Sequence, residues 1–219
     1  AEHASVHLAA QDLQQDVKKV CGQSALLKRY LPTTEKDAVV IGSLENAAFA
    51  AWAAPYVDTA ALQAEWEGYR IIITDDRLIV AGSDRRGAMW GVYRICRDVL
   101  DVDPCCRFTG AQPPRRSALA LENATLAGKP ETYRFRGWFL NDEDLLSDWK
   151  DGGGVRFIDY PFYGQVAHPD GIDMVLETAV RLGINLMIPA SFVDIHNPPE
   201  ENLIRMVTRR GLYVTQHHV

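Results

Sequence analysis

The stretch GIDMVLETAVRLGINLMIP, Gly171–Pro189, decides the fold. It reads as a helix over Gly171–Leu182 running into an apolar strand over Ile184–Pro189. Downstream, Pro198–Arg209 reads as a second helix with proline in its first turn, and Leu212–Thr215 as a further strand. Upstream, Arg134–Leu140 is a strand candidate. The order is β-α-β-α-β, and such alternation asks for a parallel sheet with helices outside it, as in a doubly wound sheet or an eight-stranded barrel. Ile184 to Leu212 is a compact step of 28 residues, whereas Gly137 to Ile184 takes 47 and must hold an excursion.

That excursion, Asp144–Pro169, contains Gly152-Gly153-Gly154 and the aromatics Trp149, Phe157, Tyr160, Phe162 and Tyr163. Loops of this length without regular structure are usually functional or mobile. The glycine run matches neither G-x-x-x-x-G-K-[ST] nor G-x-G-x-x-G, and no strand leads directly into it, so nucleotide binding is rejected.

The first half has a different rhythm. Leu13, Val17, Val20 and Cys21 form one stripe of an amphipathic helix beginning near Leu13. Ala38–Ile41 is a short apolar run closed by Gly42, the pattern of a buried strand. Tyr69–Thr74 and Arg77–Ala81, separated by Asp75-Asp76, make a hairpin. Asp84 caps a helix in which Val92, Ile95, Cys96, Val99 and Leu100 repeat with helical period. Gly87 and Gly91 lie four apart on that helix and each costs about 1 kcal/mol relative to Ala, which predicts a closely packed neighbour there. The turn formers of Gly110–Arg116 and Gly128-Lys129-Pro130 bracket a boundary, giving domains 1–128 and 129–219.

Composition narrows the function classes. With 47% hydrophobic, 24% charged and 9% aromatic residues in 219, the chain is built to fold around cores and is neither disordered nor a disulfide scaffold. A net charge of −6 supplies no positive field for a phosphate backbone, so nucleic acid is not an expected partner. No apolar run is long enough for a membrane span. The sequence opens at Ala1 with neither Met nor a charged-then-apolar leader, which leaves a removed signal and a trimmed start both open, and with them a cytoplasmic or a secreted compartment for a soluble chain. Cys21, Cys96, Cys105 and Cys106 show no CxxC pair and no His at zinc spacing, so they read as ordinary buried thiols and no metal or other cofactor is expected.

In parallel α/β folds, ligands bind beyond the carboxyl ends of the strands. Those ends carry Trp138-Phe139-Leu140-Asn141-Asp142-Glu143, then Pro189-Ala190-Ser191-Phe192, then Thr215-Gln216-His217-His218. Asn141, Asp142 and Glu143 supply an amide and two carboxylates, the groups a polyhydroxylated ligand uses. The competing reading of Asn141 and Asp142 is a helix cap or turn. His217 and His218 are adjacent and point to opposite faces of an extended strand, so they cannot chelate one metal as a pair. A metal-dependent hydrolase would need one of them to join His196, Asp142 or Glu143, a scattered set with no recognised spacing. Trp138, Trp149, Tyr160, Phe162 and Tyr163 could stack on sugar rings or fill the core.

Gly68–Ile73 and Ser83–Tyr93 resemble the small α/β domain that precedes the barrel in several glycoside hydrolases. Phe135–Glu143, the strand before Pro189-Ala190, and Gly211–His218 resemble, in order, the first three barrel strands of glycoside hydrolase family 115. The resemblance implies an N-terminal α/β domain with a mixed sheet, then the start of a TIM (β/α)8 barrel cut after its third strand. It implies inverting α-glucuronidase activity, removing glucuronic acid or its 4-O-methyl ether from xylan. By that resemblance Asn141 and Asp142 fall where the family's Asn-Asp pair lines the active site, and His217 and His218 on its His-His motif. Asp142 is the expected catalytic carboxylate, and Asn141, Glu143, Trp138, Phe192, His217 and His218 are the expected substrate contacts. The expected partner is a uronic-acid-bearing carbohydrate, and a homodimer formed through regions beyond Val219 is a further implication. The family tends to carry Trp shortly after Pro-Ala, where this chain has Ser191 and Phe192. The family's other key carboxylates lie on later strands, so the 219-residue chain alone is expected to be catalytically incomplete. Residues 129–219 are few against the roughly 250 such a barrel takes. A β-hexosaminidase-like hydrolase and a non-catalytic carbohydrate-binding or assembly module are the competing functions.

Overall fold

A computed structural model describes residues 2–128, 131–141, 145–147, 152–157 and 164–217. The chain divides into two compact units, Ala1–Arg134 and Phe135–Val219. In the first, α1 (Ala4–Cys21) is followed by β1 (Ala38–Ser43), α2 (Ala47–Ala53), α3 (Thr59–Gln63), β2 (Tyr69–Ile73), β3 (Arg77–Gly82), α4 (Arg85–Asp98), α5 (Cys106–Thr109) and β4 (Ala124–Gly128). The sheet order is β1-β3-β2-β4, with β1 parallel to β3 and the other pairs antiparallel, which is a mixed sheet.

The β2–β3 hairpin closes as its turn residues dictate. Thr74 Oγ1 donates to Asp76 Oδ1 at 3.2 Å and accepts from the Arg77 amide at 3.1 Å. Asp84 caps α4 by accepting from the amides of Arg86 and Gly87, both at 2.8 Å. The two helix glycines mark close approaches. A Cβ on Gly87 would lie 2.1 Å from the Gly68 carbonyl oxygen, and one on Gly91 would lie 2.5 Å from Val80 Cγ1. Since strand side chains alternate, α4 covers the Val80 face of β3. On the opposite face Val40 and Ala81 join Leu44, Phe49, Ala53 and Leu62 in a buried cluster that brings in α2 and α3. Each fully buried Leu or Phe there contributes roughly 1.5–3 kcal/mol.

Three expectations need correction. The first helix begins at Ala4, not Leu13, with His3 Nδ1 accepting from the Ser5 amide at 3.3 Å. Its early turns bury Ala9, Ala10 and the acidic Asp12 and Asp16, which hide the stripe from a hydrophobic count. Asp12 is buried because Tyr93 of α4 donates to it at 2.7 Å. β1 lies at the sheet edge and leaves Val39 52% exposed, so it is not buried on both faces. All four cysteines are free thiols, but only Cys96 is buried.

In the second unit, β5 (Gly137–Phe139) leads to a two-stranded antiparallel ribbon of β6 (Gly154–Val155) and β7 (Gln165–Val166). Then follow α6 (Pro169–Arg181), β8 (Leu186–Ile188), α7 (Pro198–Arg209) and β9 (Tyr213–Val214). β5, β8 and β9 form a parallel sheet in chain order, the β-α-β-α-β arrangement of the sequence reading with shorter strands. The excursion holds regular structure after all, because Gly153 and Arg156 extend the ribbon's ladder to the carbonyls of Val166 and Gly164.

Met187 is fully buried and Leu140 nearly so, while Ile188, Leu186 and Phe139 on alternate positions are half-buried. One sheet face is therefore the core. At the amino ends of the strands, Arg181 pairs with Glu177 at 2.9 Å and Arg210 with Asp173 at 2.9 Å, tying α6 to the residues after α7. This charge network, buried except for Asp173, belongs to the scaffold.

Candidate functional site

The three strand ends of the second unit are stitched together. Ser191 Oγ donates to the carbonyl of Asn141 at 3.0 Å, joining the end of β5 to the end of β8. Gln216 Nε2 donates to the carbonyl of Val193 at 3.1 Å, joining β9 to β8. The rings of Phe139 and His217 lie 4.8 Å apart. Asn141, Phe192 and His217 thus come to one end of the sheet, with Asn141 and His217 exposed and Phe192 half-buried.

Alternation explains which side chains reach that end together. Trp138 registers with Met187 and Val214, and Phe139 with Ile188. His217 is an odd number of residues beyond Val214, which puts it on the Phe139 side of an extended strand. Trp138 shares the side of the fully buried Met187 and is itself half-buried. Asp142, Glu143 and His218 lie outside the described residues, as do Trp149, Tyr160, Phe162 and Tyr163.

Behind these residues sits a polar cluster that the sequence reading did not single out. Arg156, just after β6, and Glu200, in the first turn of α7, are buried and 3.3 Å apart. Arg156 Nη1 also donates to the Phe192 carbonyl at 2.6 Å, and Nε to the Gln165 carbonyl at 3.2 Å. Glu200 Oε2 accepts from Asn197 Nδ2 at 2.7 Å, and Oε1 from the Asp194 amide at 3.3 Å. Asn197 Nδ2 reaches the Val155 carbonyl at 3.0 Å as well. A carboxylate in the first helical turn is favoured by the helix dipole, and buried charges of this kind persist only when paired and hydrogen-bonded. No sequence motif joins Arg156 to Glu200. The usable signal was an arginine inside a glycine- and aromatic-rich excursion.

Chemically, the end of the sheet offers an amide, an imidazole, aromatic rings and backbone carbonyls. That set suits hydroxyl groups and the apolar face of a sugar ring. Among the described residues, no cluster of three or more His, Cys, Asp or Glu is placed to hold a metal ion.

Residues 128–219 match the family model of glycosyl hydrolase family 115. The resemblance read from the strand-end motifs therefore stands for the second part of the chain. Over its whole length the chain is similar to the solved structure of a family GH115 4-O-methyl-alpha-glucuronidase, BtGH115A, with specificity for decorated arabinogalactans. The TM-score is 0.78 at 22% identity, and the chain spans 28% of that protein. It is also similar to the X-ray structure of Flavobacterium johnsoniae chitobiase, FjGH20, with a TM-score of 0.56 at 10% identity, over 99% of this chain and 30% of that one. At these identities the likeness is one of fold. No curated protein matches the sequence. Among the described residues, no helix is long and apolar enough to cross a membrane.

Proposed function

We propose that this chain is the amino-terminal part of a glycoside hydrolase of the α-glucuronidase kind. It would remove glucuronic acid or its 4-O-methyl ether from xylan or a related polysaccharide. The observation that carries the reading is the convergence of Asn141, Phe192 and His217 at the carboxyl end of a parallel sheet, in a segment that matches the family model. The two units, divided between Arg134 and Phe135, would be a first α/β domain and the opening strands of a TIM barrel.

In this mechanism Asp142 supplies one of two carboxylates. Inversion needs an acid to protonate the leaving oxygen and a base to activate water, about 6.5–9.5 Å apart. Asn141, Glu143 and His217 would hold the hydroxyl and carboxylate groups of the uronic acid, with His218 beside them. The aromatic ring of Phe192 would bound the pocket, while Trp138, on the side of the buried Met187, would support the sheet from its other face. The second carboxylate is assigned to a later strand, so the whole protein, not the 219-residue chain, is expected to turn over. A homodimer of the whole protein is part of the same reading, and sedimentation velocity tests it.

A β-hexosaminidase-like activity is the second reading, favoured by the fold likeness to a chitobiase over nearly the whole chain. Assaying the whole protein separates the two. Uronic acid released from aldouronic xylo-oligosaccharides or from uronic-acid-decorated arabinogalactan, but nothing from chitobiose, supports the first. Asp142→Asn should then lower turnover by about 10²–10⁴-fold. Hydrolysis of chitobiose alone would replace the proposal.

A further inference from the structure

We infer that Arg156, locked by Glu200, is the positioning residue that fixes Phe192 at the substrate-facing end of the sheet, an inference that rests on the carbohydrate site proposed above. Three separate segments meet on one guanidinium. Arg156 Nη1 holds the Phe192 carbonyl and faces Glu200 Oε1, while Nε holds the Gln165 carbonyl. One side chain thereby ties the ribbon that interrupts the first β-α connection to the loop following β8.

Only a planar fork does this. A lysine ammonium is a compact point charge and cannot span acceptors set at fixed angles to one another. Glu200 is equally committed. Its two oxygens take the guanidinium, the Asn197 amide and the Asp194 backbone amide, so the fork is oriented before any ligand arrives. Asn197 occupies the N-cap position of α7 but makes no side-chain capping bond there, giving its amide to Glu200 and to the Val155 carbonyl. Its side-chain amide thereby serves the cluster, through the first turn of α7, in place of a bond to the helix's backbone amides.

A buried ion pair is weak evidence for stability, because a well-packed apolar pair of similar volume often serves as well. What an apolar pair cannot do is direct a bond at the Phe192 carbonyl. That difference makes the inference testable. In the whole protein labelled with fluorophenylalanine, the Phe192 resonance is assigned by Phe192→Leu, and two variants are compared with the parent: Arg156→Lys, and the apolar pair Arg156→Met with Glu200→Leu.

The inference predicts that both variants move the Phe192 fluorine resonance. It also predicts a KM for aldouronic oligosaccharides raised about tenfold or more, with kcat within about twofold, since ground-state positioning is lost and chemistry is not. The apolar pair should do so while still unfolding in one cooperative transition, at a midpoint lowered by the carbonyls and amides left without partners. An unmoved resonance overturns the inference whatever the activity. A moved resonance with an unchanged KM overturns it too, because Phe192 would then not face substrate. If neither variant folds, the pair is a stability element and the inference fails. A moved resonance in a protein whose parent releases no uronic acid supports the positioning role and overturns the carbohydrate reading instead.

Discussion

The imidazole of His217 lies 4.8 Å from the ring of Phe139, with β8 between their two strands in the sheet order. His217 is exposed at the end of the sheet, where it brings both a ring contact, tilted 40° to Phe139, and polar ring nitrogens. Replacing it tests these two roles separately. His217→Phe retains a ring against Phe139 and removes the donor. Losing a hydrogen bond to a uronate carboxylate costs about 1.5–3 kcal/mol, or roughly ten- to a hundredfold in affinity. Folding stability should change by no more than about 0.5 kcal/mol at so exposed a site. Calorimetric titration of the whole protein with glucuronic acid checks this, and equal affinity in parent and variant would remove His217 from the site.

Gly87 gives a prediction whose sign opposes helix propensity. Alanine is better than glycine in a helix by about 1 kcal/mol. Here, however, the added methyl would meet a backbone oxygen 2.1 Å away, that of Gly68, and backbone cannot rotate aside as a side chain can. Overpacking of this kind costs about 1–3 kcal/mol, so Gly87→Ala should lower the urea midpoint. A raised midpoint would mean that α4 and the start of β2 have room between them.

The first unit carries two groups that make its stability depend on pH. Burial, reinforced by the charge of Arg85, lowers the His3 pKa, and the neutral ring caps α1. Glu65 is held below the ordinary carboxylate range by its hydrogen bonds from Arg70, at 2.5 and 2.9 Å. In both cases the unfolded chain takes up the proton first as pH falls, so stability rises with pH across each window. The His3 contribution is complete above about pH 6.5 and is lost as pH falls toward its folded value. The Glu65 contribution begins to fall as pH drops toward the ordinary glutamate value of about 4.3 and is gone below its folded value. His3→Asn keeps a cap that accepts at any pH. The difference in unfolding midpoint between parent and His3→Asn should therefore widen from about pH 7 to pH 5, and parallel curves would contradict the assignment.

The elements that could be read from sequence are those whose signal is local. Asp75-Asp76 between two β-rich runs, Asp84 before a periodic stretch, and Pro198 opening a helix each act within a few residues, and each element formed there. β4 was invisible because Ala124–Gly128 has little β-branched character; three of its five residues are exposed and it is held by pairing with β2. α2 and α3 are short and alanine-rich, so they carry no apolar stripe to count. The candidate site was legible as three strand ends, because parallel topology brings such ends together. The clamp behind it was not, since Arg156 and Glu200 are 44 residues apart and meet only when the ribbon folds onto the start of α7.

The most direct test follows the sugar released by the whole protein. Proton NMR of the first minutes of hydrolysis of an α-linked 4-O-methylglucuronoxylan oligosaccharide resolves the anomeric signals of the free uronic acid before mutarotation mixes them. An inverting α-glucuronidase releases the β-anomer first. Appearance of the α-anomer first, or no uronic acid at all, would contradict the account.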